Sequence, residues 1–172
     1  WDGETVGTYD SSLEKMENLK SVVDYAPAPD SQAGIAVHQD GTVTVVNDDS
    51  GKYSGCSNWK DIRQASVGHQ HAAGLKKDGT VVAVGSNDNN QLDVSGWKDI
   101  VQVAVTYDET IGLKKDGTLV VAGGDLPKDF SGKKCVQIDS NGSLYKALTD
   151  DGDVLFSTNM LISWQDFHAY AG

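Results

Sequence analysis

Proline, cysteine, positive charge and long apolar runs are all scarce in this sequence. Its 172 residues include 3 Pro and 2 Cys. No apolar run approaches the ~20 residues that a membrane-spanning helix needs, so we expect no membrane insertion. Lys and Arg total 14 against 25 Asp and Glu, which gives a net charge of −11. A field of this sign repels phosphate backbones, which argues against nucleic acid as the main partner.

Glycine, in contrast, is abundant, and it recurs at a regular spacing. Asp-Gly pairs begin at residues 2, 40, 78, 116 and 151, in steps of 38, 38, 38 and 35. The segment Gly74–Thr80 returns unchanged as Gly112–Thr118. A period of this size is typical of a solenoid or a propeller. We therefore expect an all-β fold of small antiparallel sheets, in about four and a half repeats of ~38 residues.

The Asp-Gly pairs lie between extended runs, which predicts β-hairpins. This dipeptide favours a type I′ turn, in which both residues have positive φ. Third strands with four consecutive apolar residues indicate that each sheet is covered on both faces. We therefore expect one column of residues, paired across each turn, to be buried between sheets: Leu75, Val82, Leu113, Val120, Leu148 and Leu155.

The repeat organises the whole chain, residues 1–172, as a single domain. Complete repeats are predicted at about 21–58, 59–96, 97–132 and 133–163. A partial first unit covers 1–20 and includes a predicted short helix at 11–19, where Ser11 and Glu14 fit a capping box. A partial last unit covers 164–172 and begins with Trp164, as Trp59 and Trp97 begin earlier units.

Both ends of the chain fall inside a repeat. Incomplete sheets expose edges and apolar faces that invite association. We expect a longer repeat array or pairing with a second copy, as a homo-oligomer, rather than a ring closed by the two ends.

The two cysteines fall at different repeat positions. Cys135 takes the place of Ile62 and Ile100, and Cys56 is about two repeats away. Disulfides require Cα atoms within ~7 Å, so we expect two buried free thiols.

The sequence from Gly68 to Val81 reads Gly-x-x-His-x-x-Gly-Leu-x-x-Asp-Gly-Thr-Val, and Gly85-x-Asn87 and Gln91-Leu92 follow it. This pattern resembles the regulator of chromosome condensation repeat. In style it is similar to bacterial members such as the β-lactamase inhibitor protein II group. The resemblance implies a β-propeller with one four-stranded blade per repeat. It also implies a bacterial protein that is extracellular or at the cell surface.

The segment before each second strand changes its chemistry from repeat to repeat, beside a turn that does not change. One column reads Ser31, His69, Tyr107 and Gly142. Variable loops on a constant framework are typical of recognition. We therefore expect a noncatalytic module that binds a protein, with the negative charge favouring a basic partner. The candidate binding residues are Tyr53, His69, His71, Tyr107, Asp108 and Glu109.

Other chemistries are less favoured. His69 and His71 are two residues apart, so both rings could lie on one strand face and bind a metal. A metal site, however, needs three or four ligands. The alternative is that His71 belongs to the repeat framework. We predict no catalytic residue, metal or cofactor, because no phosphate loop or nucleophile elbow is present. Two alternatives stay open: a glycan-binding or enzymatic propeller with a central site, and a guanine-nucleotide exchange role implied by the resemblance alone.

Overall fold

The computed structural model describes residues 21–29 and 31–157. The predicted partial units at 1–20 and 164–172, the helix at 11–19 and the end of the fourth repeat at 158–163 lie outside the described residues. Within those two ranges, no helix has the length and apolar character needed to cross a membrane.

The described residues form an all-β array, as predicted. Twelve strands make four antiparallel sheets, here called blades 1 to 4, and each blade runs in chain order from its first to its third strand. The strands of blades 1 and 2 are β1 Val22–Pro27, β2 Gly34–His38, β3 Val43–Val46, β4 Ile62–Val67, β5 His71–Lys76 and β6 Val81–Gly85. Those of blades 3 and 4 are β7 Ile100–Val105, β8 Thr110–Lys114, β9 Leu119–Ala122, β10 Cys135–Ser140, β11 Tyr145–Thr149 and β12 Val154–Phe156.

Each blade has three strands within the described residues, one fewer than the resemblance implies. Short 3₁₀ helices follow the third strand in two blades, at Ser54–Asn58 and Lys128–Phe130. After β6, the Asn87 side chain accepts a hydrogen bond from the Leu92 amide at 2.8 Å. Local side-chain bonds of this kind satisfy backbone groups that would otherwise extend a sheet, so a polar loop takes the place of a fourth strand.

The Asp-Gly pairs at 40, 78, 116 and 151 lie at hairpin tips, as predicted. The predicted type I′ geometry is wrong. Only the glycine has positive φ, +83° at Gly79, and the hairpin closes with the Lys76 amide bonded to the Thr80 carbonyl at 2.9 Å. This is a three-residue loop with glycine in its last position. Asp78 keeps negative φ, and its Oδ1 accepts bonds from the amide and hydroxyl of Thr80 at 2.9 and 2.7 Å.

The three-residue loop shifts the pairing of the second and third strands by one residue relative to a two-residue turn. The predicted column of buried residues is therefore wrong in part. Leu75 pairs with Val81, and Val82 pairs with Gly74 on the opposite face of the sheet. Leu75 and Leu113 are buried, with 0% and 2% exposure, as predicted. Val82, Val120 and Leu155 are only half-buried, and Leu148 is exposed at 36%. The prediction is wrong for Val82, Val120 and Leu155 because it rests on a two-residue turn. It is wrong for Leu148, which is equivalent to Leu75 and Leu113, because no described blade follows blade 4.

Three apolar cores lie at the three junctions between blades. Each combines the face of one blade with the facing side of the next. Trp59 and Trp97 belong to these cores, and each lies over a glycine of its own blade. A Cβ on Gly74 would come within 2.7 Å of the Trp59 ring, and one on Gly112 within 2.8 Å of the Trp97 ring. Small residues in this column therefore make room for the tryptophan. Cys56 and Cys135 are buried free thiols, as expected.

Hydrogen bonds repeat at the junctions as the cores do. The amide of Ile100 donates to the Gly79 carbonyl of the preceding turn at 3.0 Å, and Ile62 and Cys135 bond in the same way to Gly41 and Gly117. Further in, the Gln64 side chain exchanges two bonds of 3.1 Å with the backbone of Val103. The first strands thus lie side by side around a common axis. The Gln64 side chain, through these two hydrogen bonds, joins the first strand of blade 2 to that of blade 3.

Candidate functional site

The loops between first and second strands meet near the axis at one end of the blades. An ideal Cβ on Gly142 of blade 4 would lie 2.7 Å from Pro29 Cγ of blade 1 and 3.2 Å from His69 Nε2 of blade 2. Loops of blades 1, 2 and 4 therefore approach one another at one point. The column predicted from the repeat phase, which includes His69 and Gly142, converges in space.

A cleft of about 350 Å³ opens at this end. We call it the axial-end cleft, and its lining is Ala28, Pro29, Ser31, Lys52, Tyr53, His69, Gln70 and Tyr107. The rings of His69 and Tyr107 lie 5.2 Å apart at a tilt of 38°. Gln70 Nε2 donates to the Tyr107 hydroxyl at 2.8 Å. Loops of blades 2 and 3 thereby hold an aromatic pair in a fixed position, and 45% of Tyr107 is exposed.

The far wall of the cleft comes from the segment after β3. Tyr53 is buried, and its hydroxyl donates to the Gly68 carbonyl at 2.6 Å. Burial raises the pKa of this phenol. The segment is held by Asp48, whose carboxylate accepts the amides of Lys52 and Tyr53 at 3.1 and 2.7 Å. Lys52 Nζ in turn donates to the His69 carbonyl at 2.6 Å, so this wall is tied to the blade 2 loop.

Asp108 and Glu109 lie beside the cleft rather than in its lining. Asp108 is exposed and Glu109 is half-buried. Removal from solvent raises the pKa of the Glu109 carboxyl, and the neighbouring charge of Asp108 acts in the same direction. The turn is fixed by Thr106, whose amide donates to the Glu109 carbonyl at 2.9 Å. Asp108 gives the loop beside Tyr107 an exposed negative charge, whereas the Glu109 carboxylate lies close to Gly124.

His71 corrects the predicted recognition set, because it has no exposed surface. It begins β5, and its Nε2 lies 2.8 Å from the Thr110 hydroxyl of blade 3. His69 precedes the strand, in the loop, so the two rings do not share a strand face. Burial lowers the pKa of His71 to about 4. It belongs to the framework, which is the alternative that the sequence had left open.

Lys52 and Gln70 line the cleft but were not predicted. Gln70 lies between His69 and His71, which were both predicted binding residues, and Lys52 precedes Tyr53, which was another. Neither loop sequence on its own indicates the hydrogen bond between the side chains of Gln70 and Tyr107, which are 37 residues apart. Only the repeat phase, which aligns His69 with Tyr107, could have suggested it.

A second cavity of about 330 Å³ lies along the axis between the first strands. Several of its polar side chains join neighbouring blades: Gln102 exchanges bonds of 2.7 and 2.9 Å with the Ile138 backbone, and the Ser140 hydroxyl donates to the Val105 carbonyl at 2.7 Å. Among residues 21–29 and 31–157, no three His, Cys, Asp or Glu side chains are grouped so as to hold a metal ion.

Comparison with known protein families identifies the same repeat that the sequence pattern suggests. A model of the regulator of chromosome condensation (RCC1) repeat matches residues 62–91, within blade 2 and the loop after it. No match was found among curated protein sequences. The resemblance predicted from the sequence is confirmed at the level of the repeat family, while the bacterial style stays a prediction.

Several solved structures are similar to the described fold. Human WBSCR16 gives a TM-score of 0.63 at 14% identity, with 81% of this chain and 49% of that chain covered. Prp20p from Saccharomyces cerevisiae, described with its binding properties to Gsp1p and histones, gives 0.60 at 17% identity, with 80% and 45% covered. The ectodomain of the receptor kinase CR4 from Physcomitrella patens gives 0.60 at 14%, with 81% and 41% covered. The chain spans less than half the length of each, and likeness at these identities shows the fold alone.

Proposed function

We propose that this chain, a regulator of chromosome condensation repeat protein, is a noncatalytic module that binds a protein partner at the axial-end cleft. The observation that carries the proposal is the His69–Tyr107 pair, supplied by two different blades and held by Gln70. The loops vary from repeat to repeat while the strands below them repeat their hydrogen bonds. Recognition residues commonly lie on such loops over a rigid scaffold.

The composition of the cleft suits a protein surface. Partly exposed tyrosine is enriched at protein interfaces, where it contributes apolar area and a polar hydroxyl. The Tyr107 ring is already restrained by Gln70 and His69, so little side-chain freedom is lost on binding. The exposed Asp108 beside Tyr107, together with the net charge of −11, favours a partner with a basic surface.

The axial cavity supports the noncatalytic part of the proposal. An active site needs polar groups free to meet a substrate. Gln64, Gln102 and Ser140 are instead engaged in bonds that join blades. The published binding of Prp20p to Gsp1p and histones is a property of that protein; it supports protein binding as a use of this fold, and an exchange activity is not part of our proposal. Location outside the cell or at its surface, expected from the resemblance, is a separate proposal that fractionation of native cells would test.

The decisive experiment compares proteins captured from native extract by the wild-type chain and by two variants. Tyr107→Ala removes the exposed aromatic ring of the cleft. Lys115→Ala alters an exposed residue at the opposite, hairpin end and serves as the control. We expect a partner retained by wild type and Lys115→Ala but lost by Tyr107→Ala, all three chains having the same melting temperature.

With that partner purified, we expect Tyr107→Ala to raise Kd by about 30-fold or more, the effect of an interface hot spot. Equal affinity of wild type and Tyr107→Ala would contradict the location of the site. Retention of no protein by the wild-type chain would contradict protein binding itself.

A further inference from the structure

The loop between β10 and β11 contains Asn141-Gly142, the one Asn-Gly dipeptide in the sequence. Asn141 is exposed to solvent. In such a dipeptide the glycine nitrogen can attack the side-chain amide carbon and form a cyclic imide, because glycine has no Cβ to obstruct the approach. Asparagine is thermally labile in proteins, and in a folded chain the rate of this reaction depends on how the two groups are held.

The side-chain carbonyl of Asn141 is held by two backbone donors. Its Oδ1 accepts the amides of Ser143 and Leu144, each at 3.0 Å. Attack on Cγ moves negative charge onto this same oxygen. Two N–H groups that already donate to the oxygen stabilise that charge, as an oxyanion hole does in an acyl-transfer enzyme. The folded loop therefore favours the reaction.

The attacking nitrogen has no hydrogen bond to give up within the described part of the chain. The Gly142 amide donates to no acceptor among residues 21–29 and 31–157, so no such bond has to break before the nitrogen loses its proton. The turn glycines of the four hairpins differ in this respect. Their amides donate to the carbonyl three residues earlier, as Gly79 does to Lys76 at 3.0 Å.

The Asp-Gly pairs at the hairpin tips differ from Asn141-Gly142 in the attacked group as well. Hydrogen bonds from a neighbouring threonine side chain lower the pKa values of these carboxyl groups, which belong to Asp40, Asp78, Asp116 and Asp151. An ionised carboxylate is a poor electrophile, because it repels electron pairs and lacks a leaving group. We therefore expect these aspartates to stay intact near neutral pH.

We propose that Asn141 is a site of spontaneous deamidation. The Gly142 nitrogen gives its proton to a solvent base and forms a bond to Asn141 Cγ. The bond from Cγ to Nδ2 then breaks, and ammonia leaves with a proton taken from solvent. Water opens the resulting ring: cleavage at the side-chain carbonyl gives aspartate, and cleavage at the main-chain carbonyl gives isoaspartate. The net reaction consumes one water molecule and releases ammonia, so it needs no other reactant.

The products change the surroundings of the axial-end cleft. A Cβ on Gly142 would lie 2.7 Å from Pro29 Cγ and 3.2 Å from His69 Nε2, so this part of the loop has no spare room. Either product adds a negative charge beside Gly142, and isoaspartate also lengthens the main chain by a methylene group. We expect the His69 side chain, which lines the cleft, to respond. Any effect on partner binding rests on the proposed function, whereas the reaction at Asn141 does not.

Peptide mapping by mass spectrometry on the full chain, incubated at neutral pH, tests the inference. Asn87 is the internal control, because its Oδ1 also accepts a backbone amide but the next residue is Asp88. We expect Asn141 to lose its amide about tenfold or more faster than Asn87. We also expect Asn141 to react about tenfold faster in the folded chain than in a synthetic peptide of residues 139–145, where the two donors are not fixed.

Asn141→Gln is the matched variant, since its longer side chain keeps the amide but disfavours ring closure. The loop of this variant should keep its mass, and the NMR signals of its His69 ring should stay constant during an incubation that shifts them in the wild type. A rate at Asn141 equal to or below that of the peptide would overturn the inference, and this comparison needs no variant. Deamidation with unchanged His69 signals would overturn the assigned effect on the cleft. Since no partner is added, both outcomes are independent of whether the cleft binds a protein.

Discussion

His71 donates from Nε2 to the hydroxyl of Thr110 at 2.8 Å, and both side chains are fully buried between blades 2 and 3. The direction of this bond follows from the next one. The Thr110 hydroxyl donates to the Gln91 carbonyl at 2.8 Å, so it accepts from the imidazole, whose Nε2 therefore carries a proton. Burial lowers the pKa of His71, which keeps the ring neutral near pH 7. A β5 residue is thus linked through β8 to the loop that follows β6.

The first prediction is that the free energy of unfolding falls as the pH drops from about 6.5 to about 4. Burial lowers the pKa of His71 from its usual 6.5 to about 4. Over this range the unfolded chain binds a proton at His71 that the folded chain does not, so acidification favours unfolding. The full loss attributable to His71 is roughly 3 kcal/mol, at 1.36 kcal/mol per pKa unit. Urea denaturation at a series of pH values measures it.

His71→Gln is the control for this pH dependence, because a glutamine amide can still donate to Thr110 but does not titrate. The slope of stability against pH should shrink in this variant. Glu109 acts in the opposite sense, since its raised pKa favours the folded state at low pH, and it contributes equally to both proteins. Identical slopes in the wild type and His71→Gln would show that His71 is not the titrating group.

The second prediction concerns the core at the junction of blades 3 and 4. Leu113 is 2% exposed and belongs to this core. Truncation to alanine removes buried methyl groups and leaves a cavity, so Leu113→Ala should cost ~2–5 kcal/mol in the free energy of unfolding. Leu126, in the loop after β9, is exposed and serves as the control, with an expected loss within about 0.5 kcal/mol. Equal losses in the two variants by denaturant unfolding would refute the assigned core.

The third prediction distinguishes the turn observed from the turn expected from the sequence. In a type I′ turn, Asp78→Gly would relieve a residue at positive φ and raise stability. In the observed loop, Asp78 keeps negative φ and its carboxylate holds the Thr80 amide and hydroxyl. Asp78→Gly should therefore lower the melting temperature. A higher melting temperature would favour the type I′ turn.

Hairpin positions could be read from the sequence because they depend on spacing alone, whereas the turn type could not. The preference of Asp-Gly for a type I′ turn reflects only the backbone conformations open to Asp78 and Gly79. The turn type also depends on the hydrogen bonds that Asp78 makes with Thr80. The Thr is itself part of the repeat, so this signal was present. The resulting one-residue shift moved Val82 to the other face of its sheet, because side chains alternate along a strand.

For the candidate site, the repeat phase predicted which loops meet, and it placed His69 with Tyr107. The repeat phase could not predict which of the candidate side chains are exposed to solvent. His69 and His71 are two residues apart, but the strand begins at His71, so the alternation rule did not apply across the pair. Burial of Tyr53 and His71 depends on neighbouring loops and blades that no local pattern describes.

The last prediction tests the close approach of tryptophan to the sheet. A Cβ at Gly74 would lie 2.7 Å from two ring carbons of Trp59, closer than carbon atoms can pack. Gly74→Ala should therefore cost about 1–3 kcal/mol through overpacking, although alanine is otherwise the better residue in a regular strand. Gly96→Ala is the control, since an added Cβ there meets no atom within 4 Å and the backbone does not require positive φ. We expect it to be neutral or slightly stabilising in thermal unfolding. A further variant, Gly74→Ala with Trp59→Leu, should show a smaller penalty for the added methyl than Gly74→Ala does in the wild type, because the smaller side chain leaves room for it. An unchanged penalty would mean that the constraint at Gly74 comes from elsewhere in the blade.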